Sequence, residues 1–184
     1  MEKVLIVVDA QEDFTRGALK NEEAIKALPT LHEVIRYAQD NNMRVVYTRD
    51  THEKETYFDT QEGKKLPVEH CVIGTPGWEI CPEARVHNMA YAAIINKSKF
   101  GTIEWLWRRF TDISEIWICG FCTDICVSAN FQILKAIYPE VPIMIISDAC
   151  AGVTPELHKA ALDVMKSCQA NIVDWKTLKE NDTN

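Results

Sequence analysis

Six short stretches of the chain are almost continuously apolar and rich in Val and Ile: Val4–Val8, Arg44–Thr48, Ala92–Asn96, Glu115–Cys119, Ile143–Ser147 and Asn171–Val173. A strand with one face in water alternates apolar and polar residues, whereas a strand covered on both faces does not. The six runs therefore predict buried strands of a parallel sheet. Between them the period changes to that of helices. Leu31, Ile35 and Ala38 share one helical face, with Pro29 as the predicted opening. Val127, Asn130, Leu134 and Ile137 form a second stripe, and Leu157, Ala161, Val164 and Cys168 a third. Thr154 followed by Pro155 predicts the N-cap and first position of that third helix. Strand alternating with helix predicts an α/β fold, a doubly wound sheet with right-handed crossovers.

The segment from Asp50 to Tyr91 breaks this rhythm. It is long, holds Pro67, Pro76 and Pro82, and shows no period. Long irregular segments inside compact domains are usually functional. With no repeat, low-complexity tract or Gly/Ser linker, residues 1–184 are expected to form one domain, fraying only in the polar tail from about Lys179 to Asn184.

Composition narrows the function. The 184 residues are 47% hydrophobic and 26% charged, with 20 basic and 27 acidic side chains and a net charge of -7. That balance argues against nucleic acid as a partner, since phosphate binding leaves a basic footprint. No apolar run is long enough for a membrane span, and Met1–Asp9 reads as a strand rather than a secretion signal. Seven cysteines, an odd number, predict free thiols and a cytoplasmic location. The seven glycines form neither G-x-G-x-x-G nor a P-loop, so no nucleotide cofactor is expected.

In a doubly wound sheet, ligands bind beyond the carboxyl ends of the strands, where the strand order reverses. Asp9 ends the first run. Arg49-Asp50 ends the second, with His52 just after. Lys97 ends the third, Gly120-Phe121-Cys122-Thr123-Asp124-Ile125-Cys126 follows the fourth, and Asp148 ends the fifth. A cysteine in the first turn of a helix feels the positive end of the helix dipole, which favours thiolate, and a nearby lysine adds to this. An aspartate in reach can take the thiol proton and pass it to a leaving amine. Backbone N–H groups of the turn can hold an oxyanion. Asp9, Lys97 and Cys126 suit these roles if they meet. Singly, each has an ordinary reading: a turn cap, a solvated strand end, a small buried side chain. Their joint placement at one sheet edge is what singles them out. Cys119-x-x-Cys122-x-x-x-Cys126 does not read as a metal cluster, because Cys119 lies inside a buried strand.

These residues also resemble a known family. Val7-Val8-Asp9-Ala10-Gln11-Glu12-Asp13-Phe14 resembles the D-x-Q-x-D-F opening of the isochorismatase-like cysteine hydrolases, which include nicotinamidases. Gly120–Val127 resembles their G-x-x-T-D-x-C-V nucleophile motif. Thr48-Arg49-Asp50-Thr51-His52 and the run from His70 to Gly77 resemble two further segments of the nicotinamidase branch. The resemblance implies a six-stranded parallel sheet with helices on both faces, a triad of Asp9, Lys97 and Cys126, and a cis peptide between Phe121 and Cys122. That bond would present the Cys122 N–H beside that of Cys126 as an oxyanion hole. Phe14 and Phe121 are the expected walls of the substrate pocket, with Trp78 a weaker candidate. Lys99 rivals Lys97, because the family's usual lysine motif is longer than the Lys97-Ser98-Lys99-Phe100 run found here; Lys97, which ends the strand, is preferred.

The same resemblance implies a divalent metal, zinc, iron or manganese, which in the family orients the substrate's ring nitrogen. Asp50, His52 and His70 match three of four ligands. The remaining histidine falls near Phe58, which cannot ligate, and Asp59 or Glu55 could substitute. The implied activity is hydrolysis of a small amide such as nicotinamide to acid and ammonia through a thioester, by a homo-oligomer. Alternatives are a carbamoyl or ureido substrate, favoured by the lost histidine, or a non-catalytic binding or redox protein on this scaffold. Isochorismate itself is disfavoured, because the branch that cleaves it often carries another residue where Cys126 stands.

Overall fold

The computed structural model describes residues 2–89 and 92–182. Six strands, β1 (Glu2–Val8), β2 (Arg44–Asp50), β3 (Ala93–Lys97), β4 (Ile113–Phe121), β5 (Ile143–Ala151) and β6 (Asn171–Val173), form one sheet. Its order is β3-β2-β1-β4-β5-β6, and every pairing is parallel. Val4 through Val8 are fully buried whichever way they point, so both sheet faces are covered. The principal helices are α1 (Glu12–Thr15), α2 (Glu22–Asp40), α3 (Gln61–Lys65), α4 (Ser128–Ile137), α5 (Pro155–Ser167) and α6 (Trp175–Asp182). None among the described residues is long and apolar enough to cross a membrane.

The chain builds outward from β1 through β2 to β3, then returns to place β4 on the other side of β1. The order therefore reverses between β1 and β4, and a crevice opens beyond their carboxyl ends. Gly120 sets the spacing there. Its φ is +117°, and a Cβ would fall 2.0 Å from the Val8 carbonyl oxygen. Only glycine lets β4 approach β1 this closely.

Four local readings are corrected. α2 opens at Glu22, not at Pro29, because the Asn21 side chain accepts from the Glu23 N–H at 2.9 Å and caps it. Pro29 is interior and supplies no N–H for the preceding turn. β5 runs on past Asp148 to Ala151, and Asp148 accepts from the Trp175 N–H at 2.8 Å instead of standing at the carboxyl edge. α5 is capped as expected, with Thr154 Oγ1 accepting from the Leu157 N–H at 3.2 Å. Its buried face is Ala161 and Met165, however, while Leu157 and Val164 are about half exposed.

The fourth correction is the tail. Residues 175–182 are helical; Thr183 and Asn184 lie outside the described residues. Trp175 and Leu178 are buried, and Trp175 meets Tyr37 and Trp117 at ring separations of 5.1 and 6.3 Å. Asp182 accepts hydrogen bonds from Lys3 and, at 2.8 Å, from Tyr37. Replacing Trp175 with Ala is expected to cost about 3–5 kcal/mol, as for other buried large aromatics. Urea denaturation checks this, and an unchanged midpoint would show that α6 adds nothing to the core.

Candidate active site

Asp9, Lys97 and Cys126 come from three separate elements and meet at the reversal of strand order. Asp9 follows β1, Lys97 is the last residue of β3, and Cys126 lies in a π-helical turn, Thr123–Val127, that leads into α4. The Lys97 ammonium stands 2.6 Å from Asp9 Oδ2 and 3.5 Å from Cys126 Sγ. It is also 3.5 Å from Asp50 Oδ1. Asp9 sits in the left-handed region, with φ +47°. Thr48 holds it at both ends: the Thr48 carbonyl accepts from the Asp9 N–H at 3.1 Å, and Thr48 Oγ1 donates to Asp9 Oδ1 at 2.7 Å. Lys99 is exposed, and its ammonium donates to the Ser98 carbonyl, so it is not part of this cluster.

Burial dominates the electrostatics. It pushes the Asp9 carboxyl up, against the pull of the Lys97 charge. It works to lower Lys97 as well, but Asp9, Cys126 and Asp50 together outweigh it and raise the ammonium's proton affinity. Burial also drives the Cys126 thiol well above its usual range, Asp9 raises it further, and Lys97 only partly offsets them. Desolvation thus works against the thiolate that the helix turn and Lys97 favour.

A second cluster adjoins the first. Ligating atoms of Asp50, His52, Glu62 and His70 all lie within 4.8 Å of one another. His52 Nε2 is 2.9 Å from Asp50 Oδ2, and His70 Nε2 is 3.4 Å from Asp50 and 3.5 Å from Glu62. His70 Nδ1 lies 2.9 Å from the Val68 carbonyl oxygen, to which it can donate, leaving Nε2 for the cluster. Burial works to raise Asp50, but hydrogen bonds from His52 and His70 hold it well below the usual carboxylate range. Burial opposes charge on His70, but hydrogen bonds to Asp50 and Glu62 carry its pKa up to about 10. Two imidazoles and two carboxylates that concentrate negative charge in this way suit zinc, iron or manganese.

Glu62 was not read from the sequence. Phe58 is exposed, as are Glu55 and Asp59, so neither suggested substitute reaches the cluster. α3 delivers Glu62 instead: Thr60 Oγ1 accepts from the Gly63 N–H at 2.9 Å and caps the turn. Gly63 packs so tightly that a Cβ would lie 2.1 Å from the Tyr57 carbonyl oxygen. The Thr60-x-x-Gly63 cap was the available signal.

Both clusters open onto one cavity of about 1040 Å³. Cys122, Cys126, Asp50, Glu62 and His70 line its floor, and Phe14, Leu19, Leu66 and Phe100 are among its apolar walls. Phe14 thus lines the cavity. Phe121 does not: it is fully buried in the sheet and is absent from the lining. Trp78 is absent as well, its indole donating to Thr51 Oγ1 at 2.9 Å and lying under the Arg49 guanidinium. The Phe121–Cys122 peptide is cis. Cys119 is fully buried and away from the cavity.

The sequence matches the family described as isochorismatase domain over residues 3–177. It is 26% identical over 185 residues to a nicotinamidase/pyrazinamidase of Mycobacterium tuberculosis, covering 93% of this chain and 98% of that protein. Among solved structures, a pyrazinamidase of Pyrococcus horikoshii in complex with zinc is 33% identical with a TM-score of 0.79, covering 95% of this chain and all of that one. An N-carbamoylsarcosine amidase of Thermoplasma acidophilum is 25% identical with a TM-score of 0.75, covering 95% and 96%.

The buried charges should be energetically coupled. Lys97→Met strands Asp9 and is expected to destabilise the chelator-treated protein by about 3–5 kcal/mol. The double variant Asp9→Asn/Lys97→Met should lose less than the sum of the two single losses. Strict additivity in urea unfolding would show that the pair does not interact.

Proposed function

Because this chain belongs to the isochorismatase domain family, a family of hydrolases that includes amidases, we propose that it is a cysteine-dependent amidohydrolase acting on nicotinamide or a close analogue. The observation that carries the proposal is the convergence of Asp9 and Lys97 on Cys126, whose side chain lines the cavity. On this reading residues 1–184 act as one catalytic domain.

In the proposed reaction the amide carbonyl carbon lies against Cys126 Sγ. As sulfur attacks, its proton passes to Asp9, whose proton affinity burial raises, as suits a general base. Lys97 stays charged beside both groups and stabilises the forming thiolate. The backbone N–H groups of Cys122 and Cys126 are assigned to the oxyanion. Asp9 then returns the proton to the departing nitrogen, so ammonia leaves and a thioester remains. Water, deprotonated by Asp9, attacks the thioester carbonyl, and the carboxylic acid departs with Cys126 restored as a thiol. Phe14 at the cavity wall offers an edge or face for an aromatic substrate.

Asp50, His52, Glu62 and His70 would hold a divalent cation, since their donor set and compressed charges fit one. When bound, the cation supplies a Lewis-acid contact that orients a heteroatom of the substrate. A carbamoyl or ureido substrate is the second reading. The likeness to an N-carbamoylsarcosine amidase, at 25% identity, supports it.

Ammonia release from nicotinamide is expected for the wild type. Cys126→Ala should abolish it, and Asp9→Asn should lower kcat by about 10²–10⁴-fold. A wild-type protein inert on both nicotinamide and pyrazinamide would remove that substrate assignment and turn attention to ureido compounds. Treatment with a strong chelator should abolish turnover, and zinc, iron or manganese should restore it, with metal content followed by mass spectrometry. Full activity at no measurable metal content would overturn the metal reading.

A further inference from the structure

Gln11 and Asp13 have no part in the chemistry proposed above, yet both are buried and polar. Gln11 is fully buried, just beyond the last residue of β1 that pairs with β2. Its side-chain amide behaves there as a substitute peptide group. Gln11 Oε1 accepts from the Asp50 N–H at 2.7 Å, and Gln11 Nε2 donates to the Asp50 carbonyl at 2.9 Å. Nε2 also donates to the Trp78 carbonyl at 2.9 Å. The amide thereby spans both backbone groups of Asp50 where the strand ladder has run out. An unmade bond to either would leave a buried peptide group without a partner.

Asp13 does the same for the other side of the cluster. Its Oδ2 accepts from the Cys71 N–H at 2.6 Å and its Oδ1 from the Ala18 N–H at 2.9 Å. Cys71 is next to His70 and holds a left-handed φ of +46°, which a non-glycine residue adopts only when its surroundings fix it. The Cys71 carbonyl in turn accepts from the His52 N–H at 3.0 Å. One carboxylate thus anchors a bridge whose two sides carry both histidines. Phe14, next in sequence, packs edge-on to the His70 ring at 6.2 Å.

We infer that Gln11 and Asp13 are positioning residues of the metal centre, Gln11 fixing Asp50 through its backbone and Asp13 fixing His70 and His52 through Cys71. The inference rests on the reading of the second cluster as a metal site. It explains why one short segment serves both halves of the cavity: Asp9 faces the sulfur, while the two polar side chains that follow brace the ligands. Neither touches a ligating atom, so their effect is on where the ligands stand before a cation arrives.

The test is zinc affinity, measured by competition with a chromogenic chelator on metal-stripped protein. Gln11→Met keeps the volume and removes all three hydrogen bonds. It is expected to weaken zinc binding by about 10–100-fold, the range for residues that brace ligands. Asp13→Asn keeps the shape and exchanges one charge-assisted acceptor, and should weaken binding less; it also serves if Gln11→Met does not fold. Trp175→Ala, destabilising but remote from the cluster, should leave zinc affinity within twofold of wild type. Wild-type affinity in both Gln11→Met and Asp13→Asn would overturn the inference while leaving the metal site standing. Equal weakening in Trp175→Ala would also overturn it, by making the effect one of general stability. A wild type that binds no zinc would remove the metal reading, and this inference with it.

Discussion

An ammonium group with almost no contact with water survives only where negative partners surround it. Lys97 meets that condition at the centre of this molecule. Asp9 lies on one side, Asp50 on another, and the Cys126 sulfur on a third. The sheet order delivers this, because β3 is two strands from β1 and the ends of β1, β2, β3 and β4 share one edge. Shift any of those strands by one residue and an inward side chain turns outward. The buried charge and the strand register therefore depend on each other. The lysine also joins two adjacent clusters, one built around sulfur and one around paired imidazoles and carboxylates.

Burial works against a standing thiolate at Cys126, and this bears on how the site can work. A standing thiolate would be open to any electrophile that entered the cavity. Burial and the facing Asp9 carboxylate favour the thiol, while Lys97 partly offsets them. In the proposed mechanism, reactivity then arises only when a carbonyl is close enough for bond formation to accompany proton transfer.

What could be read from sequence follows from how local each determinant is. The strands were visible because burial on both faces demands unbroken Val and Ile. Asp9, Lys97 and Cys126 were visible because strand ends are easily located, and Lys97 was preferred over Lys99 for that reason. Glu62 was not visible. It stands in a proline-interrupted segment whose path is set by hydrogen bonds to distant residues, such as that from Cys71 to Asp13, fifty-eight positions apart. Phe121 was misplaced because a motif fixes a residue's position along the chain and not the direction of its side chain. Pro29 misled because a proline inside a helix looks locally like a beginning, and only the Asn21 cap shows otherwise. The tail was misjudged because Lys179, Glu180 and Asn181 hide the buried Trp175 and Leu178 that hold it.

The bond from Lys3 to Asp182 brings the first strand and the last helix into direct contact. Although the sheet is wound from its middle outward, the two ends of the described chain finish side by side. Covalent order and spatial order are thus separable in this architecture. Residues 179 positions apart therefore stabilise one another, and loss of either side chain loosens both the first strand and the last helix.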